Sequence, residues 1–349
     1  MAALLEVDRL SVAFPTATPV RELSFAVERG ETLAIVGESG SGKSLTALAL
    51  MRLLPPAGRI ASGSVRFGGE DLARLDERAM RRVRGAEIAM VFQEPMTSLN
   101  PLKTLGAQIG EALRLHEGLS RRAARARAIE LLDLVRIPEP HRRVDDYPHR
   151  LSGGMRQRAM IAIAVACGPR LLIADEPTTA LDVTIQAQVL ALLDRLRAEL
   201  SMALLLITHD LGVVAQWADR VIVMYAGAKV EEASPHVLFE RPLHPYAKGL
   251  LAASPRLETT RHYRDGPLTE IPGSIGSAAR ERGCAFAPRC PEAVSACRAQ
   301  VPALTFAGED RLVACPVALH TESREAPSPS IADAISTSSR RGEVRRPVL

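Results

Sequence analysis

Short apolar runs alternate with stretches of helical spacing through about the first 235 residues, and the pattern then fades. Leu4 to Phe14 alternates loosely between apolar and polar positions. With Leu23 to Val27 it predicts antiparallel strands leading into a third, Leu33 to Val36. Leu45 to Leu54 carries apolar residues at helical spacing, with Pro55-Pro56 as its stop, and Ile88 to Phe92 is a further apolar strand. Between about 100 and 160 helix formers prevail, and this stretch is expected to form a helical subdomain. Within it, Arg121 to Val135 sets Ile129, Leu132 and Val135 on one face and leaves its arginines as a solvated face. Leu171 to Ala174 and Leu204 to Ile207 are short apolar strands, separated by the helical pattern of Ile185 to Leu200. That alternation predicts a mostly parallel sheet covered by helices. Beyond about residue 235, Pro, His and Cys take over, which marks a second unit running to about 320. From Thr321 the chain turns to Ser, Pro, Ala and charge with no apolar face, and it reads as a disordered tail.

At 349 residues the chain has room for a main domain and an appendage. A composition of 47% hydrophobic and 24% charged residues is that of an ordinary globular protein. The net charge of +4 is mild for this length, and aromatics at 3% leave few platforms for stacking bases, so no nucleic-acid partner is expected. No apolar stretch approaches the roughly eighteen residues of a membrane span, and Glu6, Asp8 and Arg9 stand where a signal peptide needs apolar residues. The expectation is a cytosolic chain, whose reducing surroundings argue against disulfides among its five cysteines.

The chemistry lies between the predicted elements. Gly37-Glu38-Ser39-Gly40-Ser41-Gly42-Lys43-Ser44 has the G-x-x-x-x-G-K-S spacing that holds nucleotide phosphates. Glycine and serine let successive backbone N–H groups converge on polyphosphate, Lys43 adds a point charge, and Ser44 offers a hydroxyl to Mg²⁺. The order of strand, loop and helix aims free N–H groups and the positive end of the helix dipole at the phosphates. Such a loop needs a second strand bearing carboxylates, and Leu171-Leu172-Ile173-Ala174-Asp175-Glu176 supplies one. Adjacent residues at a strand end diverge, so Asp175 is expected to face the metal and Glu176 to polarise the attacking water. A second anion site is predicted where Ser152, Gly153 and Gly154 precede the helical Met155 to Cys167.

The last of these, within Leu151-Ser152-Gly153-Gly154-Met155-Arg156-Gln157-Arg158, resembles the signature sequence of ABC transporter ATP-binding subunits. The resemblance implies an α/β fold of the ABC-type P-loop NTPase class. That fold has a RecA-like core with an antiparallel β subdomain and a helical subdomain, here with a small Cys-containing C-terminal extension. It further implies that the signature completes the nucleotide site of a second subunit, so that two chains sandwich two ATP molecules head to tail. Gln93, in Val91-Phe92-Gln93-Glu94-Pro95, matches the family's Q-loop glutamine, which reaches the metal and senses the γ-phosphate. Asp182, in Ala180-Leu181-Asp182, matches the D-loop at the dimer seam, and His209, in Ile207-Thr208-His209-Asp210, matches the switch histidine. Phe14 matches the position whose ring stacks on adenine. With Glu176 and His209 both retained, a competent ATPase is expected.

Leu243-His244-Pro245-Tyr246, followed by Leu250-Leu251, resembles the extension of oligopeptide and dipeptide importer ATPases. The segments Gln93 to Pro101 and Asp175 to Asp182 are similar to the D-type subunit of those systems. The resemblance, covering about residues 4 to 320, implies two permease subunits, a related F-type ATPase partner and, indirectly, an extracytoplasmic substrate-binding protein. It places the chain at the cytoplasmic face of the inner membrane, with closure acting on permeases seated near Gln93 to Leu105. Nickel and glutathione importers use close relatives, and a soluble ABC ATPase unlinked to transport is the alternative of another class. Cys284, Cys290, Cys297 and Cys315 have the spacing C-x₅-C-x₆-C-x₁₇-C. Four thiolates there could hold Zn²⁺ or an iron–sulfur cluster, or could be buried without a metal. The resemblance favours [4Fe–4S]. Cys167 reads as a small core residue.

Overall fold

A computed structural model describes residues 3–94, 98–179, 181–254, 270–276 and 281–319, so the expected tail from Thr321 lies outside the described residues. Two sheets organise the chain. The larger has the order β11-β12-β10-β9-β3-β8-β7-β6. Its parallel part comprises β3 (Thr32–Val36), β6 (Ile88–Val91), β7 (Leu171–Asp175), β8 (Ala203–Ile207) and β9 (Arg220–Tyr225). Both faces of this part are covered, which is why its strands read as continuous apolar runs. Alternate residues serve different layers: Leu171 and Ile173 of β7 join one core, while Leu172 and Ala174 join another.

The smaller sheet, β2-β1-β4-β5, is antiparallel, with β1 (Leu5–Phe14), β2 (Ala17–Val27), β4 (Arg59–Phe67) and β5 (Glu70–Asp71). The sequence pattern ran β1 and β2 on into β3, but the structure puts β3 in the other sheet, packed beneath them through Leu33 and Ile35. The helix after β3 is also displaced from its expected limits. It spans Lys43–Leu50, beginning at Gly42 and stopping well before the prolines. Its stop is a backbone device: Arg52 adopts φ 51°, Arg52 N–H donates to Ala49 at 3.0 Å and Leu53 N–H to Leu48 at 2.8 Å.

The helical layer holds Leu105–His116, Arg121–Leu134 and Gly153–Ala164. Arg121–Leu134 buries Ala124, Ala128, Leu131 and Leu132, while Ile129 is only half-buried. Two alanines let the helix Leu105–His116 approach, and Arg125 on the outer side pairs with Asp145 at 2.6 Å. Among the described residues no helix is long and apolar enough to cross a membrane.

The chain beyond 235 returns to the large sheet. After β10 (Ala228–Ala233) come the helices Pro235–Glu240 and Pro245–Ala253, and then β11 (Thr305–Phe306) and β12 (Leu312–Val313). β12 pairs antiparallel with β10, Glu231 opposite Val313, so this region lengthens the sheet that carries the phosphate loop. Its buried acid, Glu231, is satisfied by the backbone N–H groups of Leu243 at 3.0 Å and His244 at 2.8 Å.

Candidate nucleotide site

Every motif on a strand ends at the carboxyl edge of the parallel sheet, where open α/β sheets bind ligands. β3 delivers Gly37 to Ser44, β6 delivers Gln93, β7 delivers Asp175 and Glu176, and β8 delivers His209. The strands are in register there, with Asp175 opposite Ile207 and Ile35 opposite the same Ile207.

The glycines of the loop have steric reasons. Gly42 has φ 100°, and a Cβ on it would lie 2.4 Å from the Pro19 carbonyl oxygen; on Gly37 it would lie 2.2 Å from that of Met224. The loop therefore packs on the backbone of the neighbouring strands with no room for a Cβ, and its own carbonyls curl around a small space. Lys43 fills part of it, 5% exposed, donating to the carbonyls of Gly37 at 2.7 Å and Glu38 at 3.0 Å. Burial lowers the Lys43 pKa, while Glu176, Asp175 and Glu38 act in the opposite sense. The Ser44 hydroxyl donates to Asp175 at 3.0 Å, and burial raises the Asp175 carboxyl despite that bond. A hydroxyl and a carboxylate at this distance are a donor set of hard oxygens, which suits Mg²⁺.

Glu176 stands at the centre. Its backbone is left-handed, φ 46°, a conformation costing about 1–3 kcal/mol in a non-glycine residue. Its N–H donates to Ile207 at 2.9 Å, which ties the strained residue to β8. Its carboxylate accepts from Gln93 Nε2 at 2.9 Å and Thr179 Oγ1 at 2.9 Å, and lies 3.4 Å from His209 Nδ1. Three sequence stations, Glu176, Gln93 and His209, thus meet in one cluster, joined by Thr179, which no motif singles out.

Phe14 lies apart, its ring against Gly58, where a Cβ would approach it to 2.7 Å. It lines a cavity of about 580 Å³ with Thr16, Pro19, Arg21, Gly40 and Ile275, beside the phosphate loop. Ser152 caps the helix Gly153–Ala164, accepting from Met155 N–H at 3.4 Å. Among the described residues no hydrogen bond joins Ser152 to Gly154 with the phosphate loop. These residues instead abut the segment after β7: a Cβ on Gly154 would meet Ile185 at 2.8 Å, and one on Gly153 would meet Leu181 at 3.9 Å. Asp182 caps the helix Val183–Glu199, accepting from Ile185 N–H at 3.0 Å. Gln186, one turn on, donates to Asp210 at 2.9 Å, next to His209.

The four cysteines of the extension are all free thiols, and among the described residues no group of three or more His, Cys, Asp or Glu could hold a metal ion. Burial raises the thiols of Cys284, Cys290 and Cys315, that of Cys290 to about 11, and neighbouring cysteines add to the rise. Cys284 and Cys290 are half-buried and Cys297 and Cys315 buried, packed among Phe286, Ile271 and Val313, and nothing in this arrangement supports the expected iron–sulfur or zinc centre. Cys167 is half-buried against the helical core, as expected.

Two residues of the extension reach the site without a sequence signal having placed them there. The Tyr246 hydroxyl accepts the Glu38 backbone N–H at 2.7 Å, and Arg289 pairs with the Glu38 carboxylate at 2.8 and 3.0 Å.

Residues 20–179 match a family model described as ABC transporter, and residues 230–297 match one described as oligopeptide/dipeptide transporter, C-terminal region. A protein of Brucella abortus (strain 2308) named "Putative peptide import ATP-binding protein" is 54% identical over 326 residues, 92% of this chain and 97% of its own. A protein of the same description from Brucella melitensis biotype 1 is 53% identical over the same length, with the same shares covered. Among solved structures, a dimeric ATP-binding cassette in a post-hydrolysis state with ADP and Pi superimposes with a TM-score of 0.60 at 27% identity. It covers 66% of this chain and 98% of its own. A cassette from Clostridium perfringens, part of the ABC transporter complex cbiONQ, does so with a TM-score of 0.60 at 25% identity, covering 69% and 92%.

Proposed function

From a chain that belongs to the ABC transporter ATP-binding family, in its oligopeptide and dipeptide branch, we propose a D-type subunit that energises peptide import. It is an ABC-type ATPase, and its partners on this reading are two permeases and a related F-type ATPase chain at the cytoplasmic membrane face. The observation that carries the reading is the convergence of Lys43, the Ser44–Asp175 pair and the Glu176 cluster at one sheet edge.

Each residue has a task that its geometry supports. The loop N–H groups and Lys43 take the phosphates, for which Lys43 exchanges the Gly37 and Glu38 carbonyls. Ser44 and Asp175 would hold Mg²⁺, with Gln93 as a further ligand, and the bound ion supplies charge neutralisation. Glu176 orients and polarises the water, while His209 and Gln93, already at its carboxylate, contact the γ-phosphate and report its presence. Phe14 stacks on the base. Ser152, Gly153 and Gly154, of which the glycines abut Leu181 and Ile185, complete the partner's site with Asp182 at the seam. Closure of two such chains moves the segment from Gln93 to Leu105 against the permeases.

Glu176→Gln keeps the shape and removes the base, so ATP binding stays and turnover falls by ~10²-fold or more. Phosphate release from the complex with its permeases measures this, and an unchanged rate would sink the assignment of Glu176. Peptide uptake into vesicles holding that complex, compared with nickel and glutathione uptake, tests the cargo.

A further inference from the structure

The acidic side chain in the phosphate loop is an electrostatic anomaly. Glu38 sits next to the site that receives a polyphosphate, and a bare carboxylate there would repel its ligand. The structure removes that charge with a residue from the far end of the chain. Arg289 grips Glu38 through both terminal nitrogens, and its side chain is only 4% exposed. The grip is itself held: Arg289 Nε donates to Pro272 at 2.7 Å, Nη2 to Ile271 at 3.0 Å and Nη1 to the Tyr225 hydroxyl at 3.4 Å. Its stem packs against Gly273, and its guanidinium lies 5.8 and 5.9 Å from the Tyr225 and Phe286 rings. A second tie comes from Tyr246, whose hydroxyl takes the Glu38 N–H, so the same residue is fixed through side chain and backbone. The Glu38 carbonyl in turn accepts from Lys43.

We propose that Arg289 and Tyr246 are positioning residues for ATP binding, a clamp by which the C-terminal extension neutralises Glu38 and fixes the phosphate loop around Lys43. This rests on the ATP-binding reading of the loop. It also gives the cysteine-bearing segment a structural task. Arg289 ends the short turn Ala287–Arg289 that Cys284 and Cys290 bracket, and Cys284 N–H ties that turn to the Cys297 carbonyl at 2.7 Å. The packed thiols thus present an arginine to a loop 251 residues away in sequence.

The test measures equilibrium ATP binding and KM with the full-length chain. Wild type that binds no ATP, or binds it equally well as Lys43→Ala, fails the ATP-binding reading itself, whatever Arg289 does. Given binding, Arg289→Met raises Kd and KM for ATP by about tenfold, with kcat at saturation nearly unchanged, because Glu38 does not touch the Glu176 cluster. Adding Glu38→Gln to Arg289→Met brings both constants back to within about threefold of wild type, since the charge to be neutralised has gone. A purely structural arginine gives no such rescue. Tyr246→Phe keeps the ring packing on Tyr225 and Phe286 and raises Kd about threefold. Should Arg289→Met fail to fold, Arg289→Lys and Tyr246→Phe decide the matter, and an unchanged Kd in both overturns the clamp. So does a double variant that binds ATP no better than Arg289→Met.

Discussion

His244 makes the docking of the extension sensitive to acid, by an amount that can be worked out. It is 1% exposed, and burial, with a smaller contribution from Lys248, pushes its pKa down to about 3 from 6.5. Nδ1 accepts the Tyr246 backbone N–H at 3.1 Å and so caps the helix Pro245–Ala253. A proton on the ring would cancel that acceptor and bury a charge beside Lys248 and the Phe286 ring. The folded pKa is depressed, so the stability His244 contributes is complete above about 6.5 and is lost as pH falls toward 3. By about pH 5 the linkage integral is about 2 kcal/mol, which for a chain of this size lowers Tm by about 3 °C. Glu231, whose carboxyl burial raises, acts in the opposite sense, because its protonated form favours the folded state as pH falls. Melting wild type and His244→Asn in parallel from about pH 7 to 5 removes that term by subtraction, since Asn can still accept the Tyr246 N–H. Wild type loses about 2 kcal/mol more than the variant over this range. Curves that stay parallel would refute the buried neutral imidazole. Because Tyr246 holds Glu38, ATP affinity at about pH 5 also falls further in wild type than in His244→Asn.

Two glycine pairs give further expectations. Gly42→Ala forces a Cβ to 2.4 Å from the Pro19 oxygen at φ 100°, and it lowers stability by about 2 kcal/mol or more in urea titration while abolishing ATP binding. Gly40→Ala, at φ 81° with only Ile275 at 3.7 Å, bears backbone strain alone and costs about 1 kcal/mol. On the signature helix, Gly154→Ala drives into Ile185 at 2.8 Å and costs about 1–3 kcal/mol, whereas Gly153→Ala, 3.9 Å from Leu181, folds like wild type.

Most of the strands read in the sequence are buried on both sides, although β1 was legible from its alternation and the equally buried β9 was not read. β3, β6, β7 and β8 are unbroken apolar runs because layers cover both faces, and such runs need no periodicity to be found. β4 was missed because its first half, Arg59 to Gly63, is mostly exposed, and it is a strand only by pairing with β1. The early end of the helix Lys43–Leu50 was invisible for another reason: an arginine takes the left-handed position that glycine usually marks. Motif residues were legible in the site because each follows a strand end at fixed spacing. Tyr246 and Arg289 were not, because 208 and 251 residues separate them from Glu38 and no local pattern encodes such a contact. Cysteine spacing alone carries the same signal for a metal centre and for a packed corner, and among the described residues no group that could hold a metal ion supports the former.

On the proposed reading, the contacts around Glu176 also bear on how one nucleotide can be felt at two surfaces. The groups assigned to the phosphates also engage one another: Lys43 with loop carbonyls, and Gln93, Thr179 and His209 around Glu176. Bonds to charged partners contribute about 1.5–3 kcal/mol each, so nucleotide exchanges one set for a comparable one and the net energy is small. What changes is position. Gln93 opens the segment that leads to the helix Leu105–His116, whose first N–H groups are held by the carbonyls of Asp146 and Val144 in the helical layer. Six residues after Glu176, Asp182 caps the helix whose Ile185 presses on Gly154. A shift of Glu176 would therefore reach Gly154 through Asp182 and Ile185. The loop after β7 thus lies between the chain's own phosphate site and the signature that would serve its partner, and on the proposed reading hydrolysis at one site would loosen the other chain's nucleotide.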